Sequence, residues 1–591
     1  MRFRTVDALT RFLPGLAWFK DYNRTLLTRD GLASLVTAVL LIPQSLAYAL
    51  LAGLPPQAGL YASIAPLVAY AVFGSSRVLA VGPVAVVSLM TAAAIGSLGL
   101  TDPAEIMAAA GALALLSSLL LVLFGVFRLG SVANFLSRPV VEAFITASTV
   151  LIIASQLRHF LGVDMHGATL PELVVSLFAS GSPLADLNLT ALVVGVASLA
   201  FLLAARSALP DLLKRMKLSE SLVSGITRAA PAVLVAVTAL SAWLLGLNAN
   251  TGLAIVGELP SGLPPFAFPL VPLETWRALI GPAALISLVG FVESVSVGQS
   301  LAARRRETIE PNRELLGLGA ANAAAAFTGG YPVTGGFARS VVNESAGAET
   351  PLAGVFTAVI ILLVAAFLTP LFHHLPKAAL AATILAAIWR MANFKDAWHA
   401  WKYSHADGAA AFLTLAGVLF LGVEIGLTLG VALSVGLVLQ RTMRPHWAEV
   451  GQVPRTHHFR NIDRHDVICS PHVISLRIDE ALYFANARFL EALAGDILAR
   501  ESRPTDLVLL FPAVNFVDAS ALSSLRTINT RLLDGGVRLH LSEVKGPVAD
   551  KLIEAGFFED LSGEVFLSHY AAMRTLDPQT TLRAEGVEAE R

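Results

Sequence analysis

Two ionisable residues lie inside long apolar stretches and are the first candidates for chemistry. Glu293 stands near the middle of 285–301, and Arg339 stands just inside an apolar segment at 337–347. Burying a charged side chain at the centre of a bilayer costs about 2.5–3.5 kcal/mol, so such residues usually bind ligands, relay protons or pair with each other. The sequence leaves two interpretations open, a shared functional centre or a structural ion pair.

The same region offers a site for an anion. Segments 84–98 and 337–347 are short for membrane-crossing helices, and each follows a break that contains Gly and Pro. A helix N-terminus presents free N–H groups and about half a positive charge. Two such termini together with Arg339 suit a dianion such as sulfate. If Glu293 takes up a proton when the anion binds, the site couples protons to the anion.

Composition places these residues in a membrane protein. The 591-residue chain is 55% hydrophobic and 14% charged, with a mean hydropathy of +0.68, whereas soluble domains carry about 25% charge. The shortage of charge is confined to residues 1–440. A net charge of −1 argues against a nucleic-acid partner, and the single Cys469 excludes a disulfide framework and a thiolate zinc cluster. We therefore expect neither a metal nor a cofactor.

Fourteen apolar segments are predicted to cross or enter the membrane. They are 31–53, 57–73, 84–98, 106–126, 139–157, 188–205, 229–247, 278–301, 315–328, 337–347, 352–372, 376–389, 408–423 and 425–440. Lys and Arg gather in alternate connections, which by the positive-inside rule places both termini in the cytoplasm. The expected location is the cell inner membrane, with many crossings.

The two halves of the membrane part carry the same spacing. Gln44 to Pro83 spans 39 residues, and so does Glu293 to Pro332. Each pair runs from the first long helix of its half to the broken segment. Interrupted segments at matching places are typical of transporters built from inverted repeats, so we predict an α-helical membrane protein of 7+7 inverted segments.

After residue 440, strand-like and helix-like stretches alternate, which predicts a small α/β domain. The strand-like stretches are 473–478, 506–511 and 537–541, and the helix-like stretches are 487–500, 520–533 and 548–555. The expected organisation is a cytoplasmic N-terminal segment (1–30), a membrane transport domain (31–440), a linker (441–464), the α/β domain (465–577) and a C-terminal tail (578–591). No nucleophile–base pair, Walker loop or metal-ligand cluster is visible, so an enzyme is not expected.

Four stretches of the membrane part carry long motifs, at 42–53, 81–90, 291–294 and 332–343. Together they closely resemble the sulfate permease (SulP) family of anion transporters, and the C-terminal part resembles the STAS domain of that family. The resemblance covers nearly the whole chain, in order.

The resemblance implies a core domain (segments 1–4 and 8–11) that moves against a gate domain (segments 5–7 and 12–14) in an elevator-like cycle. The anion is expected between the third and tenth segments, and Glu293 matches the position linked to proton coupling. Animal relatives have Phe where Val84 stands and often Ser where Ala338 stands. The substrate-binding residues implied are Gln44, Tyr48, Val84, Ala85, Ala338, Arg339 and Ser340.

In the C-terminal domain, 515–522 resembles the loop that bears the phosphorylatable Ser of anti-sigma-factor antagonists. Asp518 and Ser520 open a predicted helix, where Asp and Ser are also ordinary N-caps. Regulation through these residues, with a cytoplasmic partner of the STAS domain, is an alternative to plain capping.

The function expected is secondary active transport of an inorganic anion, in first place proton-coupled sulfate uptake by a homodimer joined partly through its STAS domains, as relatives are. Bicarbonate or a C4-dicarboxylate stays open as the substrate, because helix termini and one Arg recognise charge and size. A signalling scaffold anchored in the membrane is the alternative from another class. Glu293 and Arg339 argue against the scaffold. If the membrane part no longer transported anything, it would have no need to keep two charged residues inside apolar segments.

Overall fold

The computed structural model describes residues 22–131, 137–178, 187–216, 220–259, 262–389, 391–443, 445–500 and 502–586. It divides into two compact units, a membrane unit (Met1–Val435) and a C-terminal unit (Gly436–Arg591). Most of the predicted N-terminal segment and the last residues of the predicted tail lie outside the described residues.

The membrane unit is built from helices. In chain order they are α1 (Arg24–Leu51), α2 (Pro56–Tyr61), α3 (Ala65–Phe73), α4 (Ala85–Gly96), α5 (Pro103–Val126), α6 (Arg138–Leu161), α7 (Leu170–Phe178), α8 (Leu189–Ser207), α9 (Leu209–Arg215), α10 (Glu220–Leu244), α11 (Leu247–Thr251), α12 (Leu273–Arg305), α13 (Pro311–Phe327), α14 (Phe337–Ser345), α15 (Leu352–Leu363), α16 (Lys377–Ile388), α17 (Phe394–Tyr403), α18 (His405–Leu421) and α19 (Val423–Met443). A π-helical turn (Val364–Leu368) and a 3₁₀ turn (Thr369–Phe372) continue α15.

Each of the fourteen predicted segments falls on one of these helices or, for 57–73 and 352–372, on consecutive helical pieces. Among the described residues, eight helices are long and apolar enough to cross a membrane, and α4, α16, α18 and part of α10 are shorter apolar helices. The prediction missed the short helices α7, α9, α11 and α17, because they are too short or too polar to read as membrane segments.

Several helices begin before their apolar stretch because a polar residue caps them. The Asn23 side chain accepts a hydrogen bond from the Leu26 N–H at 3.0 Å and starts α1 a full turn and more before residue 31. Asp102 caps α5 in the same way through the Ala104 N–H, at 3.0 Å. A hydropathy pattern locates the apolar part of a helix, whereas the cap decides where the helix starts.

Helix packing follows the two groups that the resemblance implies. In one group α5 packs against α12 and α13, α13 against α3, and α15 against α1. In the other, α6 packs against α18, and α8 against α16 and α10. Helices α10 and α16 also contact α1, so the first helix lies where the two groups meet.

Two buried carboxylates hold loops of the first helix group in place, and each accepts several hydrogen bonds. Asp30 of α1 accepts from the backbone N–H groups of Glu349 at 2.8 Å and Thr350 at 3.2 Å. Glu314 of α13 accepts from the Tyr70 hydroxyl at 2.7 Å. Buried ionised groups need such partners, so these two are structural.

A short strand pair joins the two halves of the membrane unit. Strand β1 (Val81–Gly82) immediately precedes α4, and strand β2 (Thr334–Gly335) immediately precedes α14. They run antiparallel, with Val81 opposite Gly335 and Gly82 opposite Thr334. The pairing is symmetric, which is what a two-fold relation between inverted halves requires.

The C-terminal unit is a six-stranded sheet with helices. Its strands are β3 (Trp447–Gln452), β4 (Phe459–Asn461), β5 (Val473–Ile478), β6 (Asp506–Leu510), β7 (Arg538–Ser542) and β8 (Val565–Phe566), in the order β4-β3-β5-β6-β7-β8. Its helices are α20 (Ala487–Leu498), α21 (Ala519–Asp534), α22 (Gly546–Glu554), α23 (Phe557–Asp560), α24 (His569–Leu576) and α25 (Pro578–Glu585). Strands β5 to β8 are parallel, and β3 is antiparallel to both of its neighbours.

The three predicted strands correspond to β5, β6 and β7, and the three predicted helices correspond to α20, α21 and α22. The stretch 441–464, expected to be a linker, contains β3 and β4, which hydrogen-bond into the sheet. These two strands have short, mixed sequences without clear alternation, so their pairing is decided by the sheet edge that β5 offers.

Candidate functional site

The site is built around the N-termini of α4 and α14, which the strand pair β1–β2 brings together. The N-cap residues are Val84 and Gly336, and neither helix has a side-chain cap. They lie close: a Cβ added to Gly336 would sit 2.9 Å from a methyl carbon of Val84. Both positions are buried. Two uncapped helix starts therefore direct their free N–H groups and partial positive charges at one region.

Arg339, in the first turn of α14, adds a full positive charge. Its side chain is only 2% exposed, and both terminal guanidinium nitrogens lack a hydrogen-bond partner within the described part of the chain. The guanidinium lies against the backbone of β1: a Cβ added to Gly82 would stand only 2.2 Å from Arg339 Nη1. Unlike Asp30 and Glu314, this buried charge has no partner that the described residues supply, so it is available to a ligand.

Gln44 and Tyr48 of α1 are both buried, and the Gln44 Nε2 donates to the Tyr48 hydroxyl at 3.2 Å. Tyr48 lies within electrostatic reach of Arg339, so α1 contributes to the same site. The Gln44 Oε1 is buried and has no hydrogen-bond partner among the residues that the structure describes. Because a tyrosine hydroxyl can both donate and accept, the amide can also turn over and direct its N–H₂ group at an anion.

Glu293 of α12 lies within electrostatic reach of Arg339 but is not ion-paired with it. Among the described residues the Glu293 side chain has no hydrogen bond or ion pair, and it is partly exposed. Its neighbour Ser294 is fixed: the Ser294 Oγ accepts from the Gly335 N–H at 2.8 Å and contacts Thr334 Oγ1 at 2.6 Å. The structural ion pair considered from the sequence is therefore not formed in this state.

The other residues expected at the site have different surroundings. Ala85 is the first residue of α4 and is buried. The Ser340 hydroxyl donates to the Gly336 carbonyl at 2.7 Å and accepts from the Ala80 N–H at 3.0 Å, so it joins the start of α14 to the residue before β1. The side chain of Ala338 lies outside the described residues.

Several polar side chains that the sequence did not single out hold the site in shape. Asn322 of α13 accepts from the Val333 N–H at 3.0 Å and donates to the Val333 carbonyl at 2.9 Å, which fixes the turn before β2. The fully buried Tyr331 lies 3.2 Å from Ser88 Oγ, hydroxyl to hydroxyl, and within electrostatic reach of Arg339. Tyr331 stands at the start of the Gly-rich break, and this position is the sequence feature that could have identified it.

In the C-terminal unit, Asp518 is the N-cap of α21. Its carboxylate accepts from the Ala521 N–H at 2.8 Å and from the Phe484 N–H at 2.9 Å. Ser520 is exposed in the first turn of the helix. Asp518 therefore has a structural role as a cap, and the Ser520 hydroxyl is accessible.

No three His, Cys, Asp or Glu side chains are grouped to hold a metal in the part of the chain that the structure describes. Residues 27–414 match the sulfate permease family, and residues 464–572 match the STAS domain.

The chain belongs to the sulfate permease family.

Similar proteins cover nearly the full length of this transporter. "Sulfate transporter 4.1, chloroplastic" of Arabidopsis thaliana is 31% identical over 578 residues, 96% of this chain and 82% of the relative. A Mycobacterium tuberculosis protein named "Probable sulfate transporter" is 33% identical over 551 residues, 93% of this chain and 95% of the relative. These relatives are transporters and not enzymes.

The structure titled "The overall structure of SLC26A9" superposes with a TM-score of 0.88 at 22% sequence identity, covering 98% of this chain and 95% of that one. The transporter thus has the fold of that protein, a helical membrane body followed by a STAS domain. The predictions of family, of fold class and of a non-enzymatic protein are confirmed.

Proposed function

We propose that this transporter carries a small divalent oxyanion, in first place sulfate, together with protons. One observation carries the proposal: the fully buried guanidinium of Arg339, whose two terminal nitrogens have no partner among the described residues, lies beside two uncapped helix N-termini. The two termini contribute about one positive charge together and Arg339 contributes another. A dianion neutralises this total, and its oxygens can accept from the backbone N–H groups and from the guanidinium. Sulfate transporters among the relatives support the choice of substrate.

Glu293 is the coupling residue in this proposal. It lies within electrostatic reach of Arg339 and has no partner among the described residues that would hold it ionised. When Glu293 is ionised it cancels one of the positive charges that the dianion needs. When it is protonated the full charge returns, so binding of the anion and binding of a proton favour each other.

We further propose that the core helices move against the gate helices, and that the transporter works as a homodimer in the inner membrane with both termini in the cytoplasm. The separate packing of the two helix groups supports a movement between them. Alternation of basic connections along the sequence supports the orientation.

Reconstitution into liposomes tests the substrate and the coupling together. Purified transporter is supplied with radiolabelled sulfate, bicarbonate and fumarate, each under an imposed proton gradient and separately under a sodium gradient. We expect sulfate to accumulate under the proton gradient only. Accumulation of bicarbonate or fumarate instead of sulfate would show that the proposed substrate is wrong. Accumulation under the sodium gradient would show that the coupling ion is wrong, and accumulation of none of the three would refute transport itself.

Glu293→Gln tests the coupling residue, because Gln keeps the size of the protonated side chain but cannot release a proton. We expect the variant to exchange labelled for unlabelled sulfate and to ignore the proton gradient. The matched control is Glu142→Gln at the exposed start of α6, where Glu142 pairs with Arg138 at 2.7 Å. A Glu293→Gln variant whose uptake still follows the gradient as wild type does would refute the assignment.

A further inference from the structure

A polar cavity lies in the membrane unit at the end of α1. Its volume is about 410 Å³. The walls come from the end of α1 (Leu50, Gly53 and Leu54), the end of α6, and the first residues of α8 and α16. At about 30 Å³ per water molecule, the cavity has room for on the order of ten waters, or for a small anion with part of its hydration shell.

The wall of this cavity carries an excess of positive charge. Arg158 and His159 of α6 and Lys377 of α16 all line it. The Arg158 Nε donates to the His159 Nε2 at 3.3 Å, so that nitrogen carries no proton and the charge comes from Arg158 and Lys377. His159 is within electrostatic reach of both cations, and all three side chains line the same cavity.

Acidic groups do not neutralise this charge. Of the described residues, Asp164 is the one carboxylate that lines the cavity; it influences Arg158, but its side chain is 92% exposed and lies 3.3 Å from His166. Within the described residues, neither Arg158 nor Lys377 forms an ion pair with a carboxylate. Two cations held in one cavity repel each other, and a mobile anion relieves that repulsion.

The cavity shares helix α1 with the site around Arg339, which is called the central site below. Tyr48, which belongs to the central site, and Leu50, which lines the cavity, stand two positions apart on α1, a rise of about 3 Å. The cavity walls come from α1, which belongs to the core group, and from α6, α8 and α16, which belong to the gate group. An anion held there lies between the two helix groups.

We propose that this cavity is an anion-capture site, in which Arg158 and Lys377 hold a hydrated inorganic oxyanion before it reaches the central site. The inference rests on the proposed function, and the orientation proposed above places the cavity on the outer face. Attraction by fixed charges raises the local concentration of a substrate and weakens as salt screens it. The capture site therefore lowers the KM for outside sulfate without changing the maximal rate.

The first experiment measures sulfate uptake at low and high ionic strength by an Arg158→Gln/Lys377→Gln double variant. We expect its KM to be about tenfold above that of wild type at low ionic strength and nearly equal to it at high ionic strength, with a maximal rate within twofold. Asp164→Asn should lower the KM. Arg277→Gln is the matched control, since Arg277 is an exposed cation at the start of α12 that does not line the cavity.

The second experiment does not depend on transport. Sulfate should slow chemical acetylation of Lys377 in purified wild type, relative to choline chloride at equal ionic strength, and should leave the exposed Lys395 unaffected. Equal acetylation of Lys377 with and without sulfate, or a double variant with the KM of Arg277→Gln, would overturn the capture site. A wild type that protects Lys377 but moves no sulfate would overturn the proposed function and leave the capture site standing.

Discussion

Arg339 combines complete burial with two terminal nitrogens that find no partner in the described part of the chain, a state that costs free energy until an anion arrives. A guanidinium can donate two parallel hydrogen bonds to an oxyanion, whereas a lysine ammonium is a point charge on a flexible stem. Arg339→Lys should therefore keep some uptake with a KM for sulfate raised about tenfold or more, and Arg339→Gln should lose uptake. Saturation curves in liposomes measure both.

The control for Arg339 is Arg313→Gln, in which an exposed cation paired with Glu310 at 2.7 Å is removed. Surface pairs of this kind contribute little, so its KM should match wild type. Full uptake by Arg339→Gln would show that the anion binds elsewhere.

His569 in the C-terminal unit makes stability depend on pH. Burial lowers the pKa of His569 to about 3, its Nε2 has no partner among the described residues, and its ring packs against Phe459 at 4.3 Å between centroids. The unfolded chain, with an ordinary histidine pKa of about 6.5, binds the proton more readily, so stability is complete above pH 6.5 and falls as the pH drops towards 3. The slope approaches about 1.4 kcal/mol per pH unit.

Hydrogen exchange of peptides from β6 in the full-length protein, compared at pH 7 and pH 5, measures this loss. His569→Phe keeps the ring contact and should remove most of the difference. Burial alone would raise the pKa values of Asp479 and Asp577, but their hydrogen bonds lower them below 3.8, so these two groups do not titrate in that window. An unchanged pH difference in His569→Phe would assign the dependence to another group.

Single residues differed in how well the sequence revealed them. Glu293 and Arg339 could be found because a charge is rare in an apolar segment, and Gln44, Tyr48 and Val84 came from the motifs of a family. Asn322 could not be found, because its importance lies in the backbone groups that it meets after folding, and Tyr331 was marked only by its place at the start of the Gly-rich break. Ordinary polar residues carry no periodic or spacing signal of such contacts.

At the level of elements, the strand pair corrects the internal alignment of the repeat. Equal spacings of 39 residues align Pro83 with Pro332, but the symmetric pairing aligns Val81 with Thr334 and Gly82 with Gly335. The two alignments differ by four residues, about one helical turn. The prolines therefore mark the breaks in both halves without being equivalent positions.

Strand β1 requires glycine at position 82, because the Arg339 guanidinium lies directly against the backbone there. A Cβ at this position would stand 2.2 Å from Nη1, far inside van der Waals contact. Gly82→Ala should displace the guanidinium and lower sulfate uptake at least tenfold, while the protein still folds and reaches the membrane. Gly96→Ala at the end of α4, where a Cβ meets nothing within 4 Å, is the control and should transport normally. Normal uptake by Gly82→Ala would mean that Arg339 need not hold this position.

For the whole molecule, sequence reasoning recovered both units and missed parts that depend on contacts between distant segments. Hydropathy located the fourteen segments because the membrane demands apolar length whatever the partners are. Strands β3 and β4 were not predicted, because 441–464 is basic and has no regular alternation of apolar residues. These strands form because β5 provides an edge to which β3 hydrogen-bonds. The grouping of helices into core and gate was implied by the resemblance and not by any residue pattern, since packing partners leave no local mark.

The orientation of the whole molecule can be tested through the chain's single cysteine. Cys469 lies in the C-terminal unit and is exposed. Partial desolvation of the exposed thiol, aided by the charge of Glu449, raises the pKa of Cys469, so less thiolate is present at neutral pH and labelling by a maleimide should speed up between pH 7 and pH 8.5. A membrane-impermeant maleimide should label Cys469 in inside-out vesicles and not in intact cells.

Two variants serve as controls. Cys469→Ser should remove all labelling, and Thr101→Cys in that background, in the exposed connection before α5, should be labelled in intact cells. Labelling of Cys469 in intact cells would place the C-terminal unit outside and reverse the direction assigned to the capture cavity.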